Sequence, residues 1–152
     1  MVEDMKSEPI EILLVDDNPG DVRLTEEALK ETKVNSILNV VVDGVEALHY
    51  LRRTGKYTNA ARPEIMLLDL NLPRKDGREV LEEIKNDVQL KEIPVIVLST
   101  SNAEQDVIKA YQYHANCYIT KPDNFNQFVK IIESTIDYWF NIVRLPQKEQ
   151  NG

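Results

Sequence analysis

The sequence predicts an α/β fold built on a five-stranded, doubly wound parallel sheet with helices on both faces. Three observations carry this. Short β-branched runs alternate five times with longer amphipathic stretches. Three of those runs, EILLV, EIMLLD and PVIVLS, are apolar almost throughout, as strands covered on both faces must be. No repeat or Gly/Ser/Pro-rich linker divides the chain, and its 152 residues, 42% hydrophobic, suffice for one domain with a sizeable core. Right-handed crossovers leave few topologies, and five strands fit the flavodoxin-like order 2-1-3-4-5.

The strand candidates are Glu11–Val15, Ile37–Val42, Glu64–Asp69, Pro94–Ser99 and Cys117–Thr120. After the first, Asn18 or Asp21 with Pro19 opens a helix with apolar positions Val22, Leu24, Ala28 and Leu29. Gly44 follows the second strand, and Val45, Ala47, Leu48 and Leu51 mark the next helix. Val80, Leu81 and Ile84 mark the third. Asn102, with Gln105 three residues on, has capping-box spacing before a fourth helix carrying Val107, Ile108, Ala110 and Tyr111. The fifth is long, from about Asn124 to Leu145, with Phe125, Phe128, Val129, Ile132, Ile136, Trp139 and Val143 on its core face. Ile131, Tyr138, Ile142 and Leu145 form a second apolar stripe about 120° away. Residues 1–9 and 147–152 read as tails around a domain spanning 10–146.

Composition excludes several functions. Eighteen basic residues against twenty-six acidic ones give a net charge of −8, which disfavours a nucleic-acid or anionic-membrane partner. The single cysteine, Cys117, rules out an intrachain disulfide framework and a cysteine-based zinc site. Apolar runs such as Ile93–Leu98 fall far short of the roughly 20 residues a spanning helix needs. The acidic start MVEDMKSEPI is neither a secretory signal nor a transit peptide, so a cytoplasmic location is expected.

Open α/β sheets bind ligands beyond the carboxyl ends of their strands, so chemistry is sought there. Asp16 and Asp17 follow the first strand, and Asp69 ends the third, followed by Leu70-Asn71-Leu72-Pro73. Ser99 and Thr100 follow the fourth, and Thr120-Lys121-Pro122 the fifth. Three clustered carboxylates repel one another unless a cation or proton sits among them, and their oxygens suit Mg²⁺. Lys121 adds a fixed positive charge and Ser99 a donor, which together equip the edge for phosphoryl transfer. Taken singly, each acid is an ordinary turn residue or helix cap. Their coincidence at neighbouring strand ends is what points to a site.

The stretches LLVDDNPGD, IMLLDLNLPRKDG, IPVIVLST and YITKP stand in the order and spacing of a known family. The chain resembles the receiver domain of two-component response regulators from roughly Ile10 to Ile142. That resemblance implies Asp69 as the phosphoacceptor for a sensor histidine kinase, with Asp17 binding Mg²⁺ directly and Asp16 assisting. It implies the backbone carbonyl of Asn71 as a further metal ligand. Ser99 and Tyr118 take the switch positions, Thr100 follows the switch hydroxyl, and Lys121 is the phosphate-contacting lysine. It also implies a cis Lys121-Pro122 bond and a tight turn at Gly77, where positive φ would be useful. The bulk of Thr100 is expected to narrow solvent access and slow phosphoryl loss.

NLPRKDGREVLEEIK, NCYITKP, Trp139-Phe140 and Val143-Arg144-Leu145-Pro146 are similar to phytochrome-associated, stand-alone receivers. This likeness implies a phytochrome-type or hybrid histidine kinase as partner. It also implies a homodimer through the fourth helix, fifth strand and fifth helix, with Ile131, Tyr138, Ile142 and Leu145 at the interface. No basic segment follows the fifth helix, so output is expected through protein association rather than catalysis. Two alternatives stay open: a phosphate-independent docking receiver, and an aspartate-nucleophile phosphohydrolase of the haloacid dehalogenase kind. The latter resemble DxDxT, whereas Asp69 is followed by Leu70-Asn71-Leu72, which lacks the second acid. His49 and His114 lack spaced ligand partners, Cys117 reads as an inert strand thiol, and Arg52, Arg53 and Lys56 read as a solvated helix end.

Overall fold

The protein is described by a computed structural model covering residues 9–145. Five strands, β1 (Ile10–Val15), β2 (Ser36–Val41), β3 (Ile65–Asp69), β4 (Val95–Ser99) and β5 (Cys117–Thr120), form one sheet. Every pairing is parallel, and the order is β2-β1-β3-β4-β5, as the alternation predicts. The strand bounds fall within one residue of those read from sequence.

Period-two patterning splits the interior into two layers. Leu13, Val15, Met66, Leu68, Val95 and Val97 face α2 (Gly44–Arg52), α3 (Gly77–Lys85) and α4 (Glu104–Gln112). The alternate residues Ile12, Leu14, Ile65, Leu67, Ile96 and Leu98 face α1 (Pro19–Glu31) and α5 (Phe125–Asp137). The three middle strands are therefore buried on both sides, which explains their apolar runs.

The first three helices keep their predicted faces. Asn18 caps α1, its side chain accepting from the Gly20 and Asp21 amides, with Pro19 in the first turn. Asp43 caps α2, and Asp76 forms a full capping box with Glu79 on α3. Ala47, Leu48 and Leu51 on α2, and Val80, Leu81 and Ile84 on α3, are buried.

The last two helices depart from expectation. Ala103, not Asn102, stands at the N-cap of α4, and no side chain caps it. Ala110 is the one buried residue of α4, while Ile108 and Tyr111 lie exposed. On α5, Phe128, Ile132 and Ile136 are buried as predicted, but Phe125 opens the helix at 72% exposure. The expected run to Leu145 stops early: α5 ends at Asp137, and Tyr138–Ile142 form a widened π turn that ends at Val143. A π turn closes on the fifth rather than the fourth residue, so a wheel at 3.6 residues per turn loses register there. Trp139 and Phe140 still reach the α1–α5 layer, while Tyr138 and Ile142 face outward and Leu145 lies beyond the helix. The proposed tails lie outside the described residues, except that Pro9 is described. Among the described residues, no helix is long and apolar enough to cross a membrane.

Candidate functional site

Register assembles the site. Val15 pairs with Leu68, so Asp16 leaves β1 level with Asp69 on β3. Ser99 on β4 pairs with Thr120 on β5, which delivers Lys121 one step further along the same edge. Carboxylate oxygens of Asp16, Asp17 and Asp69 lie within 4.8 Å of one another. Such an all-oxygen donor set, held by three adjacent acids, fits a hard divalent cation.

Small turns lock these side chains. Asp16 Oδ1 accepts from the Asn18 amide at 2.9 Å, and Asp69 Oδ1 accepts from the Asn71 amide at 3.1 Å. Both leave Oδ2 toward the pocket, where Lys121 Nζ donates to Asp16 Oδ2 at 3.1 Å and to Asp69 Oδ2 at 3.2 Å. Its shortest bond is to a residue the sequence suggested only as a helix cap: Asp21 Oδ2, at 2.7 Å, from the first turn of α1. The signal in the sequence is a fourth acid one helical turn after Asp17, which helix capping alone explains.

The electrostatics follow from burial. Asp16 is almost fully enclosed, and loss of solvent pushes its carboxyl up to about 6, against the opposing pull of Lys121. Burial also works against the charge on Lys121. The Asp21 hydrogen bond and the fields of Asp16, Asp69 and Asp21 outweigh it and raise the lysine above its usual value. Four carboxylates around one ammonium leave the pocket strongly negative, and added cationic charge would relieve it.

Two glycines hold the loop after Asp69. A Cβ on Gly77 would stand 2.3 Å from the Asp69 carbonyl oxygen and 2.6 Å from Leu70 Cα. Its amide donates to the Leu70 carbonyl at 2.9 Å. Gly77 does not have positive φ, contrary to expectation; close backbone approach is what demands it. On the other side, a Cβ on Gly44 would stand 2.1 Å from the Lys75 carbonyl oxygen. Arg74, in the left-handed region at φ 67, reaches back to Asp43 at 3.1 Å and fastens the loop to α2.

The residues expected at the switch positions form a chain toward α4. Buried Ser99 accepts at Oγ from the Ser101 amide at 3.1 Å. The Tyr118 hydroxyl donates to the Ser101 carbonyl at 2.9 Å, and its ring packs on the core, so the aromatic already sits inward. Ser101 Oγ donates to Asp106 at 2.6 Å, and Arg78 on α3 donates to Asp106 at 3.1 Å. Those two donors hold Asp106 below the usual carboxylate range. Thr100, next after Ser99, is exposed. Lys121-Pro122 is trans, not cis as the resemblance implies, and trans is the isomer the bond itself favours.

Other candidates stay outside the site. His49 and His114 are exposed and belong to no group of clustered metal-type side chains among the described residues. Burial raises the half-buried Cys117 thiol, which suits an inert residue. Arg52 pairs with Glu83 and Asp87, while Arg53 ends α2 in a left-handed cap and Lys56 lies over the Tyr57 ring.

Residues 12–133 match the family model described as the response regulator receiver domain. Response regulator Rcp1 of Synechocystis sp. is 46% identical over 143 residues, covering 94% of this chain and 97% of Rcp1. The crystal structure of the Mn²⁺-bound form of Rcp1 superposes with a TM-score of 0.88 at 47% identity, covering 91% of this chain and all of that one. The phosphorylated cyanobacterial phytochrome response regulator RcpA superposes with a TM-score of 0.89 at 50% identity, covering 92% of this chain and all of that one.

Proposed function

This chain belongs to the response regulator receiver domain family, and on that premise we propose that Asp69 accepts a phosphoryl group from a sensor histidine kinase. The observation carrying this reading is the convergence of Asp16, Asp17, Asp69 and Lys121 on one pocket. Asp16, Asp17 and Asp69, with the Asn71 backbone carbonyl, are the residues to hold Mg²⁺. When bound, that ion offsets the repulsion between the incoming phosphoryl and the acids.

The chain's own groups do the rest. A carboxylate oxygen of Asp69 attacks phosphorus in line, the P–N bond to the kinase imidazole breaks, and an acyl phosphate forms. Lys121 donates to the new phosphoryl oxygens. Ser99 turns its hydroxyl toward them and withdraws from the Ser101 amide, which unsettles the Ser101–Asp106–Arg78 chain and hence α4. Tyr118, bonded to the Ser101 carbonyl, feels the same change. Thr100 covers the mouth and slows hydrolysis, so Thr100→Ala should shorten the adduct's lifetime; an unchanged lifetime removes it from this role.

The output is association rather than catalysis. Ile108, Tyr111, Tyr138 and Ile142 are exposed along α4 and the end of α5, which supports a homodimer through the α4–β5–α5 face. Ile131 and Leu145, the other two residues of the proposed interface, are half-buried. Light scattering on wild type and on Ile131→Glu with Ile142→Glu tests this: a dimer that the charges dissolve is expected, and a monomer in both refutes it. The kinase partner is of phytochrome or hybrid type, a reading supported by the likeness to RcpA, and the pairing is cytoplasmic.

Incubation with Mg²⁺ and acetyl phosphate or phosphoramidate, followed by intact mass, tests the central step. One phosphoryl adduct, absent from Asp69→Asn, is expected. No adduct at all favours a docking receiver that ignores phosphate. Sustained release of phosphate favours a phosphohydrolase, against which stands an exposed Asn71 where that reading needs an acid.

A further inference from the structure

We infer that Asp21 is a positioning residue that competes with the phosphoryl group for Lys121, an inference resting on the reading of Asp69 as the acceptor. An ammonium has three protons and no acceptor. In this structure all three have partners: Asp21 at 2.7 Å, Asp16 at 3.1 Å and Asp69 at 3.2 Å. Lys121 is saturated. To donate to a phosphoryl oxygen on Asp69, it must release something it already holds.

The three partners differ in what release would cost. The Asp16 side chain is 1% exposed, with no water to take over from Lys121, so without the lysine its charge would rest on the bound Mg²⁺ alone. Asp69 carries the incoming group itself. Asp21 is the cheapest to abandon. Its side chain is 20% exposed, it lies outside the Asp16–Asp17–Asp69 cluster, and it stands in the first turn of α1, where the helix dipole favours negative charge without Lys121. Thr25, buried one turn on, donates its hydroxyl to the Asp21 carbonyl and fixes the backbone from which the carboxylate is presented. Asp21 thus seats the lysine while Asp69 is unmodified and yields it when the phosphoryl arrives. Its charge sets how far the modified state is favoured.

The test uses the full chain at saturating Mg²⁺ and beryllofluoride as the phosphoryl probe, with binding followed by ¹⁹F NMR. Asp21→Asn should bind beryllofluoride about five-fold or more tightly than wild type, and Asp21→Glu should return toward wild type. A purely structural role would weaken binding instead. The crystal structure of the wild-type beryllofluoride complex supplies the second readout: Lys121 Nζ should lie on the fluoride and beyond hydrogen-bond reach of Asp21. Equal or weaker binding by Asp21→Asn, or a retained Lys121–Asp21 bond in that complex, overturns the inference. Failure of wild type to bind beryllofluoride at all would instead overturn Asp69 as the acceptor.

Discussion

The two ends of the functional edge are built differently. Around β1, β3 and α3, every strand residue from Ile12 to Val15 and from Ile65 to Asp69 is buried, α3 is fully boxed at its start, and two glycines grip the intervening loop. Around β5 and α4, the framework loosens: α4 buries one residue and lacks a side-chain cap, and all four residues of β5 retain some exposure. The first region presents the Asp16 and Asp69 carboxylates from buried strand ends, each bonded to a backbone amide two residues on. Beyond the sheet and core, α4 is tied to α3 by Arg78–Asp106 and to the loop after β4 by Ser101–Asp106. Rigid chemistry beside a lightly tethered helix is the arrangement a switch requires, because regions that rearrange come from the low-stability end of a fold.

The sharpest way to break this contrast is Gly77→Ala. Its methyl would meet backbone of Asp69 and Leu70, neither of which can yield without moving the site. Unfolding in urea should show a loss of about 3 kcal/mol, at the upper end of overpacking costs, with metal binding impaired. A loss below about 0.5 kcal/mol would mean that the loop is no more rigid than α4. Arg78→Gln probes the tether between the regions. It should cost about 1 kcal/mol, the upper end for a partly exposed ion pair, and native-state hydrogen exchange should quicken in α4 while Val80, Leu81 and Ile84 stay protected. Uniform quickening across α3 and α4 would erase the distinction.

The smallest effect concerns Glu83, which Lys75 holds at 2.5 Å across the α3 side of the loop. The Lys75 hydrogen bond lowers its carboxyl below the usual value of 4.5, against a smaller effect of burial. A depressed carboxyl contributes stability above its unfolded value, and loses it as pH falls through the folded one. With Glu83 partly exposed, solvent screening limits this to about 0.3 kcal/mol. Wild type should therefore exceed Glu83→Gln slightly at neutral pH, and the two should converge in acid. A gap persisting in acid would assign the difference to something other than this ion pair.

The same contrast governs what could be read from the chain. Strands covered on both faces write themselves as apolar runs, and strand-end acids follow from register, so the sheet order and the meeting of Asp16, Asp17, Asp69 and Lys121 at one edge were legible. Asp21 was not, because a first-turn acid on a helix has an ordinary explanation, and only the fold brings Lys121, a hundred residues away in sequence, onto it. Phe125, Ile108 and Tyr111 misled because apolar side chains at helical spacing imply a core that this face lacks. The end of α5 misled because a π turn changes the period on which any wheel depends.

Gly44 meets the loop after Asp69 at Lys75, and Gly77 meets it at Asp69 and Leu70, each with a hydrogen where any other amino acid has carbon. Variant libraries aimed at rewiring this protein to a new donor would therefore waste diversity at both positions. Recognition has freer sites to evolve on the solvent faces of the surrounding helices, while the loop after Asp69 would have to shift for a side chain at Gly44 or Gly77.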